Sequence, residues 1–287
     1  MSGAFLNGYA VVIGVGADLP VTIEDARAIT DELLNPSRGA YPPDQVRLLT
    51  GEGARQEHII GALNWLTESA GEDDIAIVYY SGHGLEVPEF LLVPYGFDKD
   101  DVEGTAVSGE AFTELLRNVR TQKLLVLLDC CHAGGQAEAK NASKSPMPPS
   151  VMNELRSSSG RVVIASSRKD ESSWTGNPYS QFTMAILEAL AGYGAFEQDG
   201  FARVLDLALY VGRVVPERTD DKQHPIIKVS NLEDNFAIAW YAGGDKNPKP
   251  LSWRPSMLMA DPVSSDGQVS TWVSMLSNYR TNLLLIE

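Results

Sequence analysis

Cysteine is scarce: the 287-residue chain has two, Cys130 and Cys131. Adjacent cysteines rarely bridge to each other, so there is no disulfide framework, and the chain suits a reducing compartment. Positive charge is short as well, with 23 Lys and Arg against 38 Asp and Glu and a net charge of −15. That argues against nucleic acid as a routine partner, because phosphate binding needs clustered cations, and it favours basic substrates. No apolar run approaches the roughly 18 residues that suggest a membrane span, and the opening MSGAFLNGYAVVIGV lacks the basic region of a secretory leader. The expectation is a soluble, cytoplasmic protein with neither a nucleic-acid nor a membrane partner. At 44% hydrophobic residues the chain can bury one large core, or one domain with an appendage.

What is present is organised around Leu124–Gly135, LLVLLDCCHAGG, an apolar β-type run that ends in an acid, two thiols, an imidazole and two glycines. Buried parallel strands deliver reactive groups in this way to the carboxyl edge of an open α/β sheet. Ile75–Gly84, IAIVYYSGHG, repeats the form around His83. If the two strands are neighbours, His83 and the Cys130/Cys131 pair meet at one edge, a thiol nucleophile beside its base. Successive strand residues point to opposite faces, so only one of the two thiols faces the cleft. His132 stands next to the thiols as a second candidate base.

In chain order, Tyr9–Val15 reads as the first buried strand. The Gly14–Leu19 segment after it lacks the third glycine of a dinucleotide fingerprint. Thr22-Ile23-Glu24-Asp25 resembles a helix start with Thr22 as N-cap. Val46–Leu49 reads as a strand and Arg55–Ser69 as a second helix, on which His58 is a surface or half-buried residue without a partner at i+4. Phe90–Pro94 is another β run. The acidic Asp98–Glu103 stretch fails the EF-hand pattern and reads as a solvated loop. Val107–Val119 looks helical. Gln136–Arg156, rich in Ala, Ser, Lys and Pro, reads as a protease-accessible loop. Arg161–Ala165 is a strand, followed by the polar Ser166–Thr175 and helices over Phe182–Leu190 and Phe201–Val215. Ile226–Val229 is expected to pair at the sheet edge with Phe236–Trp240. This alternation of β and α elements predicts a mostly parallel sheet with helices on both faces over residues 1–241. Residues 242–255, with their Gly and Pro, read as a linker, and 256–287 as a helical tail, its apolar Val269–Ile286 stripe suited to a protein partner or to docking back on the domain.

Ser81-Gly82-His83-Gly84, followed by Asp129-Cys130-Cys131-His132-Ala133-Gly134, resembles the paired signatures of caspase-like cysteine peptidases, and most those of metacaspases and their prokaryotic relatives. Asp25, Asp170-Glu171-Ser172-Ser173 and Gln223-His224-Pro225 reinforce the resemblance, which spans residues 9–240. It implies an α/β caspase-like three-layer sandwich with a short C-terminal helical appendage. It makes Cys131 the nucleophile, His83 the base and Cys130 the variable, packing position, with an oxyanion hole from the N–H groups of Gly84 and Cys131. Activity would be cleavage of protein or peptide substrates in signalling, defence or cell-death-like responses, with self-processing in the loop that follows the nucleophile. The pocket for the residue before the scissile bond would be walled by Asp25, Asp129, Asp170 and Ser81.

An ionised Asp129 at a strand end and Asp25 in a helix's first turn would want a cation, Arg before Lys. No cofactor and no metal is expected. Calcium-dependent metacaspases carry paired acids before the cysteine strand, where this chain has Ser108-Gly109-Glu110, and Thr175 replaces a frequent Glu. Two other readings use the same residues: a caspase-like scaffold without activity, and a cysteine hydrolase or acyltransferase acting on small molecules.

Overall fold

The structure is a computed structural model that describes residues 4–86, 90–131, 160–168, 171 and 173–253, without the side chains of residues 86 and 131. The expected loop Gln136–Arg156, Asp170, His132 and the tail stripe Val269–Ile286 lie outside the described residues. The chain divides into two compact units, Met1–Lys249 and Pro250–Glu287. The elements below belong to the first.

Five strands form the parallel part of the main sheet: β1 (Gly8–Gly14), β2 (Val46–Thr50), β3 (Ile75–Glu86), β6 (Leu124–Cys131) and β7 (Arg161–Ala165), in the order β2-β1-β3-β6-β7. The apolar runs of β1, β3, β6 and β7 are continuous because helices cover both faces; Val11, Val12, Val78, Tyr79, Val126 and Leu128 are completely buried, whereas β2 at the edge is half-exposed. β4 (Phe90–Val93) returns antiparallel along the end of β3 and pairs with the two-residue β5 (Val107–Ser108). β9 (Ile226–Ser230) closes the far edge antiparallel to β7.

On one face, α2 (Gln56–Ser69) and α4 (Gly109–Asn118) pack Ile59, Leu63, Leu66, Phe112 and Leu116 against Val11, Ile13, Val78, Tyr80, Val126 and Leu128. The acidic stretch is a loop only to Asp101: Val102 and Glu103 open a short α3 (Val102–Thr105), capped by Asp101, which accepts from Gly104 N–H. The opposite face carries α1 (Val21–Leu34), α5 (Gln181–Leu190) and α6 (Val204–Arg218). Tyr79 on β3 and Thr183 on α5 share a hydroxyl–hydroxyl hydrogen bond of 2.7 Å that ties this layer to the sheet.

Four expectations are corrected. Thr22 is not the N-cap of α1, which starts at Val21 after Pro20 without a side-chain cap. Val107–Ser108 is a strand, and the helix begins after it with Ser108 as N-cap, accepting from Ala111 N–H at 3.1 Å. Phe201–Arg203 is also a strand, β8, ahead of α6. Ala237–Trp240, β10, does not join β9; it pairs antiparallel with β8 in a separate two-stranded sheet. Trp240 and Phe201 are cross-strand partners in it, and their rings stack at 3.9 Å, a contact that stabilises this pairing.

Candidate active site

The parallel pairing of β3 with β6 sets the site by register. Ser81 stands opposite Asp129, Gly82 opposite Cys130, and His83 opposite Cys131. Side chains alternate along a strand, so Tyr80, Gly82 and Gly84 share one face with Cys130, while Tyr79, Ser81 and His83 share the other with Asp129. Cys130 is half-buried and packs against the cluster that holds Tyr80 and Phe90, as expected of a packing position. Cys131 ends β6 as the Cα partner of His83; its side chain lies outside the described residues.

The glycines of the motif have steric reasons. A Cβ at Gly82 would stand 2.7 Å from Tyr80 Oη and from Val15 Cγ2. At Gly84 it would stand 3.0 Å from Phe90 Cε2 and 3.6 Å from Cys130 Cβ. Tyr80 in turn donates its hydroxyl to the backbone carbonyls of His83 and Val93, each at 3.0 Å, so the packed face holds the backbone on which the histidine stands. The His83 side chain is 14% exposed, and its Nε2 lies 3.0 and 3.1 Å from the two carboxylate oxygens of Asp18.

Asp129 and Asp25 come together below this edge, at 0% and 1% exposure. Asp129 accepts from the hydroxyls of Ser173 at 2.7 Å and Ser180 at 2.5 Å. Asp25 accepts from the Ser180 N–H at 3.0 Å and, weakly, from the Ser81 hydroxyl at 3.5 Å. Burial, followed by the charge of Asp129, pushes the Asp25 carboxyl up to about 7. Burial likewise raises Asp129, against the serine hydrogen bonds that lower it.

The expectation of a fully ionised Asp25 at neutral pH is therefore corrected, and Asp129 is shifted in the same direction. Asp25 is also in the second turn of α1 rather than the first, where Glu24 is the acid, so the helix dipole gives it little help. Of the other expected residues, Asp170 and His132 are outside the described residues. His58 is exposed on α2, its Nδ1 3.2 Å from the Glu52 carbonyl. Among the described residues, no group of three or more His, Cys, Asp and Glu side chains could hold a metal ion, and no helix is long and apolar enough to cross a membrane.

Sequence reasoning gave Asp18 and Ser180 no role in the site, and it met Ser173 and Gln223 only as members of motifs that reinforce the resemblance. Ser180 had a legible signal, an N-cap serine ahead of an apolar helix; its hydroxyl accepts from Thr183 N–H at 3.0 Å. Gln223, completely buried, donates to Ser166 C=O at 2.9 Å and accepts from Trp174 N–H at 2.8 Å, clamping the segment that carries Ser173. Beside it, Glu171 accepts from the N–H of His224 at 2.6 Å and meets its Nδ1 at 2.7 Å. These contacts span about 50 residues of sequence, which no local pattern displays.

The caspase domain profile matches residues 7–237 of the chain. A curated relative, Metacaspase-1 of Eremothecium gossypii, is 25% identical over an alignment covering 96% of this chain and 61% of its own length. The chain thus spans about three fifths of the curated relative it matches. Among solved structures, the protein GSU0716 from Geobacter sulfurreducens shares the fold with a TM-score of 0.55 at 16% identity, over 84% of this chain and 99% of that one.

Proposed function

The chain belongs to the caspase-domain family, and from that premise we propose that it is a working cysteine endopeptidase that cuts after Arg and, less well, after Lys. The observation that carries the reading is the β3–β6 register, which pairs His83 with Cys131 two positions beyond the Ser81–Asp129 pair. His83 takes the proton of the Cys131 thiol, and the thiolate attacks the scissile carbonyl. The tetrahedral oxyanion is received by the backbone N–H groups of Gly84 and Cys131. Collapse to a thioester releases the amine, which His83 protonates, and water completes the hydrolysis.

Arg fits the pocket because its fork can meet two carboxylates at once, whereas Lys offers one charged point. Asp25, raised by burial and by the charge of Asp129, and Asp129, raised by burial, support the reading, since an incoming cation favours their ionised forms. Asp170 is the third acid of this proposal. Self-processing between Gly135 and Arg161, at Lys140, Lys144 or Arg156, belongs to the same reading. So does a protein partner for residues 256–287.

The test is hydrolysis of matched peptides that differ only in Arg, Lys or Asp before the scissile bond, with a Cys131→Ala control. Full activity in that variant overturns the nucleophile, and preference for Asp overturns the pocket. A folded wild-type protein without peptide hydrolysis supports the scaffold, and thioester turnover confined to small acyl substrates supports the small-molecule alternative.

A further inference from the structure

β1 runs into a tight turn, Gly16–Leu19, closed by Leu19 N–H donating to Gly16 C=O at 2.9 Å. Thr22, 1% exposed, pins the turn from α1: its Oγ1 accepts from Gly16 N–H and donates to Leu19 C=O, both at 2.8 Å. Gly16 and Ala17 sit at φ +74° and +55°, a left-handed region that strains an L-residue such as Ala. One residue earlier, Val15 N–H donates to Ser81 C=O at 3.0 Å, which fastens the turn to β3 two residues before His83. Thr22, released from capping, thus serves to present Asp18. Although the Asp18 side chain is 72% exposed, both of its oxygens reach His83 Nε2.

Resting on the reading of His83 as the base, we propose that Asp18 is a positioning residue for the Cys131/His83 pair. A carboxylate only accepts, so Nε2 is the nitrogen that carries a hydrogen, and the neutral ring keeps its lone pair on Nδ1. Nδ1 therefore receives the proton that leaves the Cys131 sulfur as the S–C bond forms and the carbonyl π pair moves to oxygen. The same proton then passes to the departing amine. Throughout, Asp18 fixes the ring's tautomer and angle and stabilises the imidazolium. This division of labour needs the carboxylate in both charge states of the ring, which an incidental surface ion pair does not supply.

The experiment compares Asp18→Ala, Asp18→Asn and Asp18→Glu in the full chain. With an Arg peptide, kcat is expected to fall about three- to tenfold in the Ala and Asn variants, a modest loss because the carboxylate is largely exposed. KM should stay within about twofold and the melting temperature unchanged, with the Glu variant recovering most of the rate. Independently of peptide hydrolysis, iodoacetamide alkylation of Cys131 at neutral pH, followed by mass spectrometry, should slow in the Ala and Asn variants because less thiolate is held. Unchanged kcat and alkylation in Asp18→Ala overturn the proposal, as does a rise in KM at constant kcat. If wild-type protein hydrolyses no peptide, the peptidase reading fails, while the alkylation rates still decide the link from Asp18 to Cys131.

Discussion

Asp25 and Asp129, on an α-helix and a β-strand more than a hundred residues apart, are held by one residue: Ser180 donates its N–H to Asp25 at 3.0 Å and its hydroxyl to Asp129 at 2.5 Å. The same hydroxyl caps α5. Ser180→Ala should therefore cost more than a cap, about 1 kcal/mol for the helix end and about 1.5–3 kcal/mol for the bond to a charged group. Thermal unfolding should show a clear drop in melting temperature. Ser180→Thr, which keeps the hydroxyl, should recover much of it.

Asp25 sets a pH dependence. Its carboxyl is raised from the ordinary 3.8 to about 7, so between those values the folded protein binds a proton that the unfolded chain does not. Stability from this group is thus fullest at low pH and lost as pH rises through about 7. Asp25→Asn should raise the melting temperature at pH 8 and lose that advantage towards pH 4. A constant difference across this range would contradict it.

In the proposed pocket the same group bears on substrate. An Arg side chain favours the ionised acids, so KM for Arg peptides should fall as pH rises through about 7, while peptides with a neutral residue in that position show no such limb. Asp129→Asn should slow Arg peptides at least tenfold, since removing one partner of a desolvated charge pair costs about 2–5 kcal/mol. Steady-state kinetics over pH 5–9 on both peptides checks both statements.

Gly82→Ala tests the packed side of β3. Its methyl would press on Tyr80 Oη and Val15 Cγ2, and Tyr80 holds the His83 carbonyl. Overpacking of about 1–3 kcal/mol is expected, together with a loss of kcat. Normal unfolding by urea and normal kinetics would show that the cleft relaxes freely.

The boundary after the first compact unit can be probed by truncation. Residues 242–249 are bonded to the turn after α1, with Gly243 N–H donating to Arg38 C=O at 3.0 Å, Arg38 to Lys249 C=O at 3.3 Å and Lys249 Nζ to Ser37 C=O at 3.2 Å. A chain ended after Lys249 should keep its melting temperature. One ended after Ala242 should lose about 1–3 kcal/mol, several hydrogen bonds at roughly 1 kcal/mol each. Equal stability of the two would place the domain end at the earlier residue.

Self-processing is read by mass spectrometry of active protein against Cys131→Ala. Cuts after Lys140, Lys144 or Arg156 in the active form alone are expected; an intact segment between Gly135 and Arg161 would reject the idea.

Composition and local pattern were sufficient for the strands that matter most. YAVVIGV, IAIVYYSGHG and LLVLLDCCHAGG are apolar runs that end in small and reactive residues, and a buried parallel strand leaves such a trace because both of its faces are covered. The pairing of the His83 strand with the cysteine strand was legible too, since two motifs ending in complementary chemistry call for one edge. Elements whose pattern was ambiguous were misread at their ends. Phe201–Arg203 and Val107–Ser108 are strands of three and two residues, shorter than any periodicity can register.

Tertiary structure alone decided the rest, because it depends on distances between residues far apart in the chain. Asp25 looks like a helix-start acid in sequence, and only its burial beside Asp129 raises its carboxyl to about 7. Thr22 has the residue type of a cap, yet the packing of α1 against the end of β1 turns its hydroxyl to the Gly16–Leu19 turn. Phe236–Trp240 carries no mark of its partner, which is β8, where Trp240 stacks on Phe201. The sequence by itself determined which groups could react and on which strand ends they stand. Register, burial and cross-chain hydrogen bonds, which are properties of the packed whole, decided which of them meet and in what protonation state.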